Sequence, residues 1–155
     1  AIALACSPEL LIADEPTTAL DVTVEAQILD LINELKDEFN SSIIMISHDL
    51  AVVSEIADKV AVMYSGRIVE YSDVDSVFND PKHPYTRGLL GAIPDIDTDK
   101  LQRLQEIRGV VPRPDEIKEG CRFKTRCDFV SESCICEEPP FYQVDRNLVR
   151  CWNYA

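Results

Sequence analysis

The sequence predicts an α/β domain with a largely parallel sheet, and three observations carry that prediction. Two short apolar runs, Leu10-Leu11-Ile12-Ala13 and Ile43-Ile44-Met45-Ile46, suit strands buried on both faces. Between them, Val24, Ile28, Leu31, Ile32 and Leu35 recur at helical spacing, with Glu25, Asp30, Asn33 and Lys36 interleaved. After them, Val60–Tyr64, Ser65-Gly66 and Arg67–Glu70 read as a hairpin closed by a tight turn. Strand, helix, strand and hairpin in that order leave little room for an all-α or all-β fold.

The elements follow from local chemistry. The first strand runs over residues 9–14 and stops at the paired acids Asp14-Glu15. Asp21 stands where a side-chain oxygen can cap the amphipathic helix over Val24–Phe39. The second strand covers 42–47, and a short helix is expected over 50–57. Residues 76–90 read as helix in two pieces, broken at Pro81 and Pro84. His83, between those prolines, reads as a surface residue. The stretch 94–120 has little apolar periodicity beyond one short helix near 101–107, and reads as a connector. From Cys121 onward the sequence suggests a separate small module.

Composition narrows the function classes. The chain has 155 residues, enough for one domain with an appendage, and its 46% hydrophobic content is that of an ordinary globular protein. Its net charge of −13 argues against nucleic acid as a partner, because such binding needs a basic stripe. The tail from Cys121 balances five basic against five acidic residues, so the excess negative charge lies upstream. No apolar run approaches the ~18 residues of a membrane-spanning helix. The start, Ala1–Cys6, has no basic flank and resembles no signal peptide. It opens within a helix-like run and without Met, so the reading expects sequence upstream. A cytosolic setting disfavours disulfides among the six cysteines.

The strongest chemical signal is Leu10-Leu11-Ile12-Ala13-Asp14-Glu15-Pro16-Thr17-Thr18-Ala19-Leu20-Asp21. Two carboxylates at the tip of a buried strand are costly unless they are used. At the carboxyl end of a parallel strand they stand where α/β folds bind ligands. The first can support Mg2+ beside nucleotide phosphates, and the second can activate water. Asp-Glu-Pro alone is as readily a polar stop to a strand; the whole string is far more specific. A second signal, Met45-Ile46-Ser47-His48-Asp49-Leu50, puts an imidazole at the tip of the neighbouring strand, 33 residues after Glu15.

The first string resembles the Walker B motif and D-loop of ABC-transporter ATPases, and the second resembles their H-loop. The resemblance implies a P-loop-type nucleotide hydrolase core with ATP and Mg2+ as ligands. Asp14 would support Mg2+, Glu15 would be the catalytic carboxylate, and Asp21 would lie in the D-loop at a dimer interface. His48 would contact the γ-phosphate and help hold the attacking water. Glycine-rich phosphate loop, glutamine loop and signature motif do not occur; none of the five glycines stands in a Gly-Lys-Ser/Thr context. The expectation is a truncated subunit whose 155 residues alone bind no ATP in calorimetry.

Cys121, Cys127, Cys134, Cys136 and Cys151 follow the spacing C-x5-C-x6-C-x-C-x14-C, which is not the paired C-x2-C of common zinc modules. Spacing alone leaves zinc, an iron–sulfur cluster or free thiols open. Gly120–Cys127, Pro139-Pro140 and Val149-Arg150-Cys151-Trp152 resemble the C-terminal extension of oligopeptide and dipeptide importer ATPases, a subfamily that includes nickel importers. His83–Leu90 and Ala92-Ile93-Pro94 resemble the segment before it. That resemblance implies a 4Fe-4S cluster on Cys121, Cys127, Cys134 and Cys151, with zinc the alternative and Cys136 an extra thiol near the third ligand. Cys6 reads as a small buried residue.

The expected organisation is residues 1–92 as the C-terminal part of an ABC ATPase domain, 93–120 as connector and 121–155 as cysteine-rich module. The expected function is the ATP-hydrolysing, energy-coupling subunit of a peptide importer at the cytoplasmic face of the plasma membrane. Its partners would be transmembrane permease subunits, a second ABC ATPase subunit and, indirectly, an extracytoplasmic substrate-binding protein. The rivals are a soluble ABC ATPase without transport, and a metal- or redox-sensing module on an ATPase remnant.

Overall fold

The computed structural model describes residues 8–39, 41–93, 107–113, 116, 117 and 119–155. They belong to two compact units, residues 1–57 and 58–155. The helix expected at Ala1–Cys6, Cys6 itself and, apart from Ile107, the helix expected near 101–107 lie outside the described residues.

In the first unit, β1 (Leu10–Asp14) pairs in parallel with β2 (Ser42–Ile46), in the register Leu10 with Ser42 through Asp14 with Ile46. The ladder runs one bond further at each end, Ser42 N–H to Glu9 O at 2.9 Å and Glu15 N–H to Ile46 O at 2.9 Å. Parallel neighbours need a crossover, and α1 (Val22–Phe39) supplies it. Asp21 caps that helix as expected: its Oδ1 accepts from Thr23 N at 3.1 Å and Val24 N at 3.0 Å. The buried stripe of α1 centres on Leu29 and Ile32, whereas Leu31, expected inside, is exposed. α2 (Leu50–Ile56) follows, capped by Asp49, with Val52 buried.

The strands are not buried on both faces. Leu10, Ile12, Ile44 and Ile46 alternate outward and are 47–61% exposed, while Leu11, Ala13, Ile43 and Met45 are half-buried. A two-stranded sheet with its crossover helix covers one face, and the continuous apolar runs overstate the burial that the described residues provide.

The second unit is built on a four-stranded antiparallel sheet in the order β3-β4-β6-β5. β3 (Lys59–Tyr64) and β4 (Arg67–Asp73) form the expected hairpin, with a register shift between Val62 and Met63. Ser65 at φ 45° and Gly66 at φ 76° both take the left-handed conformation that a two-residue hairpin turn of this hand demands. α3 (Val74–Asn79) and α4 (Pro84–Leu90) are the two helical pieces flanking the Pro81–Pro84 break. Further on come α5 (Glu132–Cys136), β5 (Tyr142–Val144) and β6 (Asn147–Val149).

Here the structure redraws the expected organisation. The tail is not a separate module, because β6 pairs with β4, Glu70 opposite Val149 and Tyr71 opposite Leu148. Arg150 N–H adds a bond to Val69 O at 2.8 Å. The hairpin therefore shares a sheet and a core with the tail, and the compact units divide between residues 57 and 58 rather than at 92 or 120. Tyr64, Val69 and Phe123 form that core, with Tyr85, Ile107, Cys121 and Cys127 packed against it. Tyr64 and Phe123 meet edge to face at 5.1 Å between centroids, a geometry that favours aromatic pairs.

Glu70 joins sheet, loop and tail. It is fully buried; Oε1 accepts from Lys82 N at 2.7 Å and Asn147 Nδ2 at 2.7 Å, and Oε2 from His83 N at 2.9 Å. Asn147 is itself 1% exposed. A carboxylate survives such burial only when its oxygens are satisfied, and three donors achieve that.

His83 is a correction to the sequence reading: it is buried, 1% exposed, not on the surface. Its place between Pro81 and Pro84 suggested exposure. In place, its Nδ1 caps α4 by accepting from Tyr85 N at 3.0 Å, and its ring lies 5.8 Å from that of Phe123. Burial, reinforced by the Arg87 charge, brings its pKa down to about 4. The unfolded chain, with an ordinary histidine near ~6.5, takes up the proton first. The neutral-His contribution is thus complete above the unfolded pKa and falls away as pH drops from there toward about 4. Urea unfolding is expected to show a loss of about 2 kcal/mol between neutral pH and roughly pH 5. In His83→Asn, which keeps a capping side chain, that slope should flatten.

Candidate functional site

β1 and β2 are parallel neighbours, so their carboxyl ends lie side by side, and the residues just beyond them are brought together. Glu15 follows β1 directly and His48 lies two residues past β2. Glu15 Oε1 and His48 Nδ1 stand 3.3 Å apart. The second oxygen of Glu15, Oε2, accepts from Thr18 Oγ1 at 2.9 Å. The Thr18 hydrogen bond first, then the hydrogen bond and charge of His48, hold the Glu15 carboxyl below the usual carboxylate range. The group remains open to solvent, 47% exposed at the side chain. An ionised, accessible carboxylate beside an imidazole can take a proton from water or hold a water in place.

The backbone around it is unusual. Glu15 at φ 46° and Ala19 at φ 64° are non-glycine residues in the left-handed region. Such conformations cost on the order of 1–3 kcal/mol each and concentrate at functional sites. A tight turn links them, with Thr18 N–H donating to Glu15 O at 3.2 Å and Leu20 N–H to Thr17 O at 3.2 Å. Ser47 and Asp49 fix the loop bearing His48: Asp49 N–H donates to Ser47 Oγ at 3.0 Å, and Asp49 Oδ1 accepts from Ala51 N at 2.8 Å.

The other expected residues are placed as follows. Asp14 ends β1 opposite Ile46 with its side chain exposed. No hydrogen bond or ion pair ties that side chain to another described residue. Asp21 is occupied by helix capping. Thr18 was missed in the sequence, although its place three residues after Glu15, in a string with no intervening helix, was the available signal.

The cysteines gather in the second unit. All five described ones are free; Cys134 and Cys151 are buried, Cys121 and Cys127 half-buried, and Cys136 exposed. Burial, then the charges of Cys134, Cys151 and Cys127, pushes Cys121 up to about 11. Burial likewise raises Cys127 and Cys151, and each feels Cys134 as well. Every pair among Cys121, Cys127, Cys134 and Cys151 is thus in electrostatic reach, and Cys136 is party to none of these interactions.

Three of these sulfurs also face a backbone N–H two residues on: Cys121 that of Phe123, Cys127 that of Phe129 at 3.4 Å, and Cys151 that of Asn153. N–H groups aimed at sulfur favour thiolate and are found around cluster ligands. Gly120, at φ 75°, brings the segment of Cys121 onto α5; a Cβ there would collide with the carbonyl oxygens of Cys134 and Ile135. Cys121 N–H then donates to Cys134 O at 2.8 Å. Among the described residues no group of three or more His, Cys, Asp or Glu is drawn close enough to hold a single metal ion.

Comparison with known proteins gives this arrangement a class: the chain's relatives are ATP-binding proteins of membrane transport. The oligopeptide transport ATP-binding protein AppD of Bacillus subtilis is 52% identical over 155 residues, 99% of this chain and 47% of its own. The dipeptide transport ATP-binding protein DppD of Escherichia coli is 49% identical over 139 residues, 90% of this chain and 42% of its own. Residues 69–134 match the family model described as "Oligopeptide/dipeptide transporter, C-terminal region". Among solved structures, cbiO1 of Clostridium perfringens, part of the ABC transporter complex cbiONQ, is 33% identical over 53% of this chain and 33% of its own, with a TM-score of 0.44. The chain is similar to the C-terminal region of ATP-binding proteins of oligopeptide and dipeptide transport. It spans just under half the length of those curated relatives.

Proposed function

We propose that these residues form the hydrolytic part of an ATP-hydrolysing, energy-coupling subunit of a peptide ABC importer, built on a P-loop-type nucleotide hydrolase fold. The observation that carries the reading is the 3.3 Å approach of Glu15 and His48 at adjacent strand ends. With Mg-ATP as substrate, Asp14 supports the metal from the tip of β1. Glu15, held ionised, accepts the proton of the attacking water, and His48 steadies that water against the terminal phosphate. Asp21, at the start of α1, belongs to the D-loop that meets a second ATPase subunit. The remaining partners are transmembrane permease subunits and, through them, an extracytoplasmic substrate-binding protein. That places the subunit peripherally at the cytoplasmic face of the membrane. No helix among the described residues is long and apolar enough to cross a membrane.

The named relatives, described as peptide transport or import ATP-binding proteins, favour this over a soluble ABC ATPase. Copurification of the intact subunit with membrane-spanning permeases, together with ATP hydrolysis, is the expected result. An active ATPase that never associates with membrane proteins would sink the transport assignment.

Cys121, Cys127, Cys134 and Cys151 would be the ligands of the 4Fe-4S cluster that the family resemblance implies, with the exposed Cys136 left out, although no three of them are drawn together around a single metal position among the described residues. The cluster would supply a redox-active centre; the chain supplies four thiolates and the N–H groups of Phe123, Phe129 and Asn153. Because burial raises the Cys121, Cys127 and Cys151 thiols, binding must release their protons and strengthens as pH rises. Anaerobic preparation is expected to yield iron and sulfide with a visible absorption band. Cys121→Ser should lose it and Cys136→Ser should keep it; zinc without iron would favour the alternative.

A further inference from the structure

A catalytic carboxylate needs more than ionisation, because a glutamate side chain has three rotatable bonds and only one useful orientation. Glu15 is not fixed by burial, being about half exposed, so something else must set its direction. The turn after β1 offers one device. With Glu15 and Ala19 both in the left-handed region, the chain doubles back until Thr18 N–H reaches Glu15 O at 3.2 Å. That fold-back sets the Thr18 hydroxyl over the carboxylate, where Oγ1 donates to Oε2 at 2.9 Å. An ionised carboxylate only accepts, so the hydroxyl must be the donor and its hydrogen is committed. One oxygen is pinned and the other, Oε1, is left facing His48 Nδ1 at 3.3 Å. The neighbouring Thr17 makes no such contact and is buried instead.

We infer that Thr18 is a positioning residue for the ATPase reaction: its hydroxyl, delivered by the left-handed turn, holds Glu15 so that Oε1 is presented beside His48. This rests on the catalytic reading of Glu15. Thr18 touches no reacting atom; it acts through the carboxylate alone. Loss of its hydroxyl should therefore slow the chemical step and leave substrate affinity untouched.

The test uses the intact ATPase subunit and Mg-ATP. Thr18→Val, which keeps the shape and removes the donor, is expected to lower kcat roughly tenfold, the factor to which loss of one hydrogen bond to an ionised group converts. KM for ATP should stay within about twofold. Thr18→Ser, which keeps the donor, should restore most of the rate. In a double-mutant cycle, Thr18→Val should cost nothing further once Glu15 is glutamine. Normal kcat in Thr18→Val, or an undiminished loss in the Glu15→Gln background, overturns the inference and leaves the role of Glu15 standing. Normal turnover in Glu15→Gln alone removes the catalytic reading and the inference with it.

Discussion

Glu15→Gln in the intact subunit is expected to lower ATP turnover by roughly 10²–10⁴, the usual worth of a positioned general base, with nucleotide binding preserved. The substitution changes little else. Glutamine has the same length and keeps one carbonyl oxygen, so the turn holding Thr18 against it can persist. It removes the proton acceptor that faces His48 at 3.3 Å. The side chain is exposed and takes part in no core, so stability should be nearly unchanged. Single-turnover hydrolysis and equilibrium nucleotide binding, measured on one preparation, separate chemistry from affinity. A variant that hydrolyses at near wild-type rate would show that the base lies elsewhere.

A second large effect is expected far from that chemistry. Glu70→Ala should destabilise the chain by roughly 3–5 kcal/mol, since it leaves three buried donors without an acceptor. The donors are the Lys82 and His83 amides and the Asn147 side chain. Glu70→Gln should fall between wild type and alanine. Its remaining oxygen can serve the Lys82 and Asn147 donors together, but its NH₂ then confronts the His83 N–H. Urea unfolding of the three proteins reads the order directly. Equal stability for glutamine and alanine would mean that the Glu70 hydrogen bonds carry little of the energy.

What the sequence made legible was local. β1 and β2 announce themselves as short apolar runs and α1 by its helical period, Asp21 stands where a cap belongs, and Pro81 and Pro84 punctuate two short helices. The meeting of Glu15 and His48 was also foreseeable, because the carboxyl ends of two parallel neighbours must adjoin. What stayed hidden depends on partners distant along the chain. β5 and β6 are three residues each, too short for alternation to register. Nothing in the hairpin sequence marks Glu70 for burial, because its donors come from later in the chain: the Lys82 and His83 amides and Asn147, 77 residues on. His83 failed for the same reason, since its cover includes Phe123 from the tail. Among the thiols, spacing could not separate Cys136 from the other four; its exposure does.

The pairing of β6 with β4 has a consequence for biosynthesis. While residues 67–73 leave the ribosome, the strand that will flank them and the amide that will quench Glu70 do not yet exist. That unit can close only after residue 149 has been made, so for some seventy residues of translation β4 has one bare edge and an uncompensated acid. Nascent chains stalled before that point should be sticky and protease-sensitive, and should become compact once the last strand is released.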